Sequence, residues 1–184
     1  LTAQWKVDAA DWNDVIYLPG SDDGDVTGMP SNVEDVLSGT EQTRSAAEPE
    51  RHGYTFKGWE LTSPDGLEVA EDGTFTMPAE NVTFTATWEK DAADWNDVIY
   101  LPGSEDGDVQ GLPSNVTDQL SGTTQTVGQD APTRHGYTFD GYKVEGLDGT
   151  ASLQPGATFT MPAGDVTLTA QWKVDAADWN DVIY

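Results

Sequence analysis

The run FTMPAENVTFTATWEKDAADWNDVIY, residues 75–100, holds two strand patterns and the join between them, and its reading sets the fold. Val82, Phe84, Ala86 and Trp88 alternate with Thr83, Thr85 and Thr87, the period-two pattern of a strand with one buried face. DVIY, at 97–100, begins a second short β run that Pro102-Gly103 stops. The connector DAADW between them has neither glycine nor proline, so it is not a flexible linker. The same pieces recur. FTMPAGDVTLTAQW stands at 159–172, and DAADWNDVIY occurs at 8–17, 91–100 and 175–184. Trp12, Trp95 and Trp179 are therefore 83 and 84 residues apart, the mark of a tandem array. The expected partition is the tail of a preceding repeat with its junction at 1–11, a first repeat at 12–88 and a junction at 89–94. A second repeat follows at 95–172, and 173–184 form a junction and the start of a next repeat.

Outward from that run, SDDGDVTG (21–28) and SEDGDVQG (104–111) are dense in turn formers and read as exposed loops. MPSNVEDVLSG follows at 29–39. Ser31 suits an N-cap, Glu34 could complete a capping box, Val33, Val36 and Leu37 share a helical face, and Gly39 suits the stop. The copy at 112–122 keeps Ser114, Val116, Leu120 and Gly122, so the spacing predicts one short helix per repeat. Tyr54 and Phe56 alternate with Thr55 and Lys57 in a central strand, where Gly58 and its counterpart Gly141 suggest a bulge. Strand, short helix, then strands is an α+β order.

GYTFKGW with FTMPAENVTFTATW resembles the Listeria–Bacteroides repeat family, which includes the B repeats of internalin-type surface proteins. GYTFDGY and FTMPAGDVTLTAQW fit the same pattern, with Tyr142 in place of the usual tryptophan. IYLPGSEDGDVQGLPSNV is also similar to the streptococcal high-identity tandem repeats of cell-wall adhesin stalks. The resemblance implies tandem β-grasp (ubiquitin-like) repeats, each a small mixed β-sheet with one short helix, in an elongated arrangement. It also implies an extracellular location on a bacterial cell surface, attached to the cell wall of a Gram-positive or related organism.

The charge balance excludes whole function classes. A formal charge of −25, from 33 acidic against 8 basic residues, repels nucleic acid and anionic membranes, so neither is an expected partner. No stretch approaches the ~18 apolar residues of a spanning helix, so no membrane insertion is expected of this segment. His52 and His135 stand one per repeat without a cysteine in the chain, a poor basis for a metal site. Weak cation candidates are Asp22, Asp23 and Asp25, with Glu105, Asp106 and Asp108, where carboxylates crowd a glycine turn without EF-hand spacing. Arg51 and His52, with many carboxylates next to them in the sequence, are expected to form local ion pairs, of little energy when exposed. No acid, base and nucleophile set recurs, so no enzyme, no catalytic residue and no cofactor are expected.

Trp88, Asp94 and Trp95 lie at the seam of the two copies and are expected to clamp neighbouring repeats, because indole burial contributes much to small interfaces. The partners expected are the neighbouring repeats of the same chain. The function expected is a structural stalk that projects a separate binding domain from the cell. The alternative is that the repeats themselves bind a host protein or glycan.

Overall fold

The structure is a computed structural model that describes residues 2–4 and 8–177. The chain forms two compact units, Leu1–Lys90 and Asp91–Tyr184. The first contains β1 (Trp12–Leu18), β2 (Val26–Thr27), β3 (Val33–Leu37), β4 (Glu41–Thr43), β5 (Glu50–Arg51), β6 (Tyr54–Ser63), β7 (Thr74–Thr76) and β8 (Val82–Lys90). The second contains β9 (Trp95–Leu101), β10 (Val109–Gln110), β11 (Val116–Leu120), β12 (Thr124–Thr126), β13 (Thr133–Arg134), β14 (Tyr137–Glu145), β15 (Ser152–Leu153), β16 (Thr158–Thr160) and β17 (Val166–Val174).

In the first unit a sheet runs in the order β2-β5-β6-β8-β1-β3, beside a two-stranded ribbon of β4 and β7. The second repeats this as β10-β13-β14-β17-β9-β11, with β15 added to β14 and a ribbon of β12 and β16. First and last strands are neighbours. β1 pairs with β8 in parallel, Val15 opposite Val82 through Leu18 opposite Thr85, and β9 pairs with β17 from Val98–Val166 to Leu101–Thr169.

The alternation in residues 82–88 is what places the core. Val82 and Phe84 are 0% exposed and Ala86 is 3% exposed, while Thr83, Thr85 and Thr87 face the half-exposed outer side. Val15 and Tyr17 of β1, Val36, Trp59 of β6, Phe75 of β7 and Met77 complete one cluster. Tyr17 packs edge-on against Trp59, and Phe75 edge-on against Phe84, the geometry that aligns ring edges with ring faces. Val98, Tyr100, Tyr142, Val144, Phe159, Met161, Val166 and Leu168 build the counterpart core.

The expected α+β, β-grasp architecture is overturned: each unit is nearly all β. Among the described residues the helical segments are two three-residue 3₁₀ turns, Ala9–Asp11 and Ala92–Asp94. Residues 29–39, read as a helix, carry the edge strand β3, and a bulge explains the misreading. Asn13 pairs with Val36 but Val15 pairs with Val33, so β3 spends one extra residue against β1. Asp35 takes that place at φ 55°, and its N–H donates to Asp14 Oδ1 at 3.1 Å. Inserting one residue into a period-two strand spaces its apolar positions by three, which imitates a helical face. Asp118 does the same at φ 57°, its N–H donating to Asp97 Oδ1 at 3.0 Å. Asn32, the residue after the supposed N-cap, instead accepts from Tyr17 N at 2.9 Å and so ties the segment to β1. The bulges expected at Gly58 and Gly141 are present as register shifts in β6 and β14.

Candidate functional site

The acidic loop 21–25 closes on an arginine of its own repeat. Ser21 Oγ donates to Asp25 Oδ1 at 2.9 Å and receives Asp23 N at 3.3 Å, which folds the two carboxylates to one side. Arg51 reaches them from β5, which pairs with β2 immediately after the loop. Its Nε meets Asp25 Oδ2 at 2.7 Å and its Nη2 meets Asp23 Oδ2 at 2.9 Å. The guanidinium lies 3.9 Å above the Tyr54 ring, adding a cation–π contact. The second repeat reproduces the arrangement with Ser104, Asp106, Asp108, Arg134 and Tyr137. The hydrogen bond from Arg51 holds the Asp25 carboxyl below its ordinary pKa, and Arg134 does the same to Asp108.

Four of the six cation candidates, Asp23, Asp25, Asp106 and Asp108, therefore face a cation that the protein supplies itself. Asp22 and Glu105 remain exposed beside the clasp. Among the described residues no group of three or more metal-ligating side chains is gathered. His52 and His135 sit exposed in the turns after β5 and β13. Arg51 is ion-paired, but not locally as expected: its partners lie 26 and 28 residues away in sequence. The signal for that pairing was the recurrence of the same spacing in both copies, from Asp25 to Arg51 and from Asp108 to Arg134.

A second constellation holds the first strand to the last. Trp88, on β8, packs edge-on against Phe56 and donates its Nε1–H to Pro19 O at 2.7 Å. Trp172 donates to Pro102 O at 2.8 Å against Phe139. The carbonyl is within reach because the chain turns sharply at Gly20 (φ 64°), directly against β8. A Cβ there would collide with the Ala86 carbonyl oxygen, and at Gly103 with that of Ala170. At the other end of the ladder, Asp14 N donates to Asn81 Oδ1 and Asp97 N to Asp165 Oδ1, both at 2.8 Å.

Trp88 is thus engaged inside its own repeat. Asp94 belongs to the 3₁₀ turn at the head of the second unit, where its carbonyl accepts from Ser121 N at 2.7 Å and its Oδ1 from Ser121 Oγ at 3.1 Å. Trp95 opens β9, half-buried and opposite Leu120. The first DAAD segment docks likewise, Asp11 O accepting from Ser38 N at 2.7 Å. Trp12 opposite Leu37 is 41% exposed, and Trp5 and Trp179 lie outside the described residues.

Comparison with known proteins matches residues 16–92 and 99–176 to the family described as the divergent InlB B-repeat domain. Internalin H of Listeria monocytogenes is 32% identical over 148 residues, 80% of this chain and 24% of that protein. A protein of Evansella cellulosilytica is 32% identical over 132 residues, 68% of this chain and 14% of its own length. The chain thus spans less than a quarter of the relatives it matches. Among solved structures, streptococcal high-identity tandem repeat domains 3–4 of a cell surface protein align over 89% of this chain and 98% of theirs. Their identity is 14% and their TM-score 0.33, a likeness that carries no argument about this fold.

Proposed function

Because the chain belongs to the divergent InlB B-repeat domain family, we propose that it is a non-enzymatic spacer segment of a bacterial surface protein. In this reading the repeats lie outside the cell and hold a separate binding domain away from it. The observation that carries the reading is the parallel pairing of first and last strand in each repeat. Parallel neighbours put the start of β1 and the end of β8 at opposite ends of one sheet. From Trp12 to Lys90 the register covers roughly 35 Å at the usual rise of a strand, so each repeat advances the chain instead of returning it. A charge of −25 adds like-charge repulsion, which discourages lateral collapse of neighbouring stalks and weakens with salt.

Small-angle scattering on the 184-residue chain tests this. A compact domain of that length has a radius of gyration of about 16 Å. The spacer reading predicts about 22 Å or more, the value for a rod of two sheets end to end. A value near the compact figure would sink it.

A further inference from the structure

We propose that the seam between the first and last strands of each repeat is a mechanical clamp, which resists a pull along the chain by loading its bonds in shear. The biological purpose of the clamp rests on the spacer reading, since a spacer between an anchor and a bound target carries tension. The mechanics rest on the geometry alone.

A pull along the chain acts on the start of β1 and on the end of β8. The two strands are parallel and paired from Val15–Val82 to Leu18–Thr85, so the pull draws them in opposite directions along their own axes. Every rung of the ladder then shares the load. Antiparallel terminal strands would leave from the same end and separate rung by rung. Side chains lengthen the seam at both ends: Asn81 Oδ1 holds Asp14 N at 2.8 Å, and the Trp88 indole holds Pro19 O at 2.7 Å. The second repeat has the same additions from Asp165 and Trp172.

Sliding is opposed by packing as well. Val15, Tyr17, Val82, Phe84 and Ala86 all face the core, and the Tyr17 and Phe84 rings stack at 5.8 Å. A slip of one residue would turn these side chains to the solvent side, and a slip of two would drag Tyr17 past Phe84. β8 is also paired with β6 along its length and β1 with β3, so neither loaded strand is a free edge.

Forced unfolding is governed by the unfolding rate and therefore by pulling direction as well as by stability. The chain has no cysteine, so engineered pairs define that direction without ambiguity. Ala9→Cys with Lys90→Cys pulls the seam in shear. Asp22→Cys with Lys90→Cys pulls from one end of the seam and peels it. All three positions are exposed, and a circular dichroism spectrum matching the unsubstituted chain verifies the fold before pulling. At one loading rate in a single-molecule force experiment, the shear pair is expected to rupture at roughly two-fold or greater force, because hydrogen bonds of modest individual strength then break together. Equal forces, or a stronger peeling geometry, would overturn the clamp. Scattering separates the two claims. A compact envelope with the force ratio intact removes the spacer reading alone, and an extended envelope with equal forces removes the clamp alone.

Discussion

Replacing Tyr142 by phenylalanine is expected to stabilise the second repeat, against the usual direction for a truncated core side chain. Tyr142 stands where the first repeat has Trp59, each opposite the buried alanine of the last strand. The Trp59 indole donates to Ala47 O at 3.0 Å. Tyr142 is 0% exposed, and its hydroxyl has no hydrogen-bond partner among the described residues. A buried polar group left unpaired costs about 1–3 kcal/mol. Removing it forfeits only the contacts of one oxygen atom and leaves the ring against Phe139 and Tyr100. The net gain should be about 1 kcal/mol, a rise of about 4–8 °C in the midpoint of a unit this size. Burial, and then the neighbouring Tyr100, pushes the Tyr142 pKa up to about 12. The folded value lies above the unfolded one, so the stability tied to the protonated hydroxyl is complete below pH ~10 and lost as pH rises through the folded pKa. The advantage of Tyr142→Phe should therefore widen by about 2–3 kcal/mol between pH ~9 and ~12. Thermal and urea denaturation across that range measures both effects. A variant several degrees less stable at neutral pH, or an advantage that stays flat with pH, would mean that the Tyr142 hydroxyl is not an unpaired, buried group. Trp59→Phe in the first repeat supplies the contrast, because it removes a satisfied donor and ring volume and should destabilise by about 2 kcal/mol.

Arg51→Met should cost the first repeat only about 1 kcal/mol, since its aspartate partners stay in contact with water, while raising amide exchange in residues 21–25. The folded Asp25 pKa is depressed, so its contribution is present above about pH 4 and lost as pH falls below that; Arg51→Met should flatten the acid limb of the stability profile. Millimolar calcium, compared with EDTA, should leave the melting temperature unchanged, because the loop carboxylates already face arginine. Gly20→Ala should cost about 3 kcal/mol or more, combining a left-handed backbone with a collision at the Ala86 carbonyl; equilibrium denaturation reads the loss directly.

The two-repeat organisation and the central strand were legible because they rest on local signals. The Val82–Trp88 alternation marks a buried face, and tryptophans at a fixed interval mark the period. The edge strand was misread because a left-handed Asp35 adds one residue to it, and spacings of three at Val33 and Val36 then suit either a helix or a bulged strand. Only pairing with β1 decides between them, and pairing is not a local property. The acidic loop was recognised as a cluster, but its cation is Arg51, far along the chain and brought near by the β2–β5 ladder. Trp88 reads from the sequence as a residue of the seam between repeats, and within its own repeat it packs against Phe56. Its acceptor is not legible in the sequence, because the Pro19 carbonyl reaches the indole only where Gly20 lets the chain turn against β8.

The most direct test of the spacer account is the length of chains built from two, three and four repeats, measured by small-angle scattering in one buffer. The account predicts that the maximum dimension grows linearly, by roughly 35 Å for each repeat added. Growth that flattens toward the cube root of the number of repeats would mean that they collapse on one another, and would contradict it.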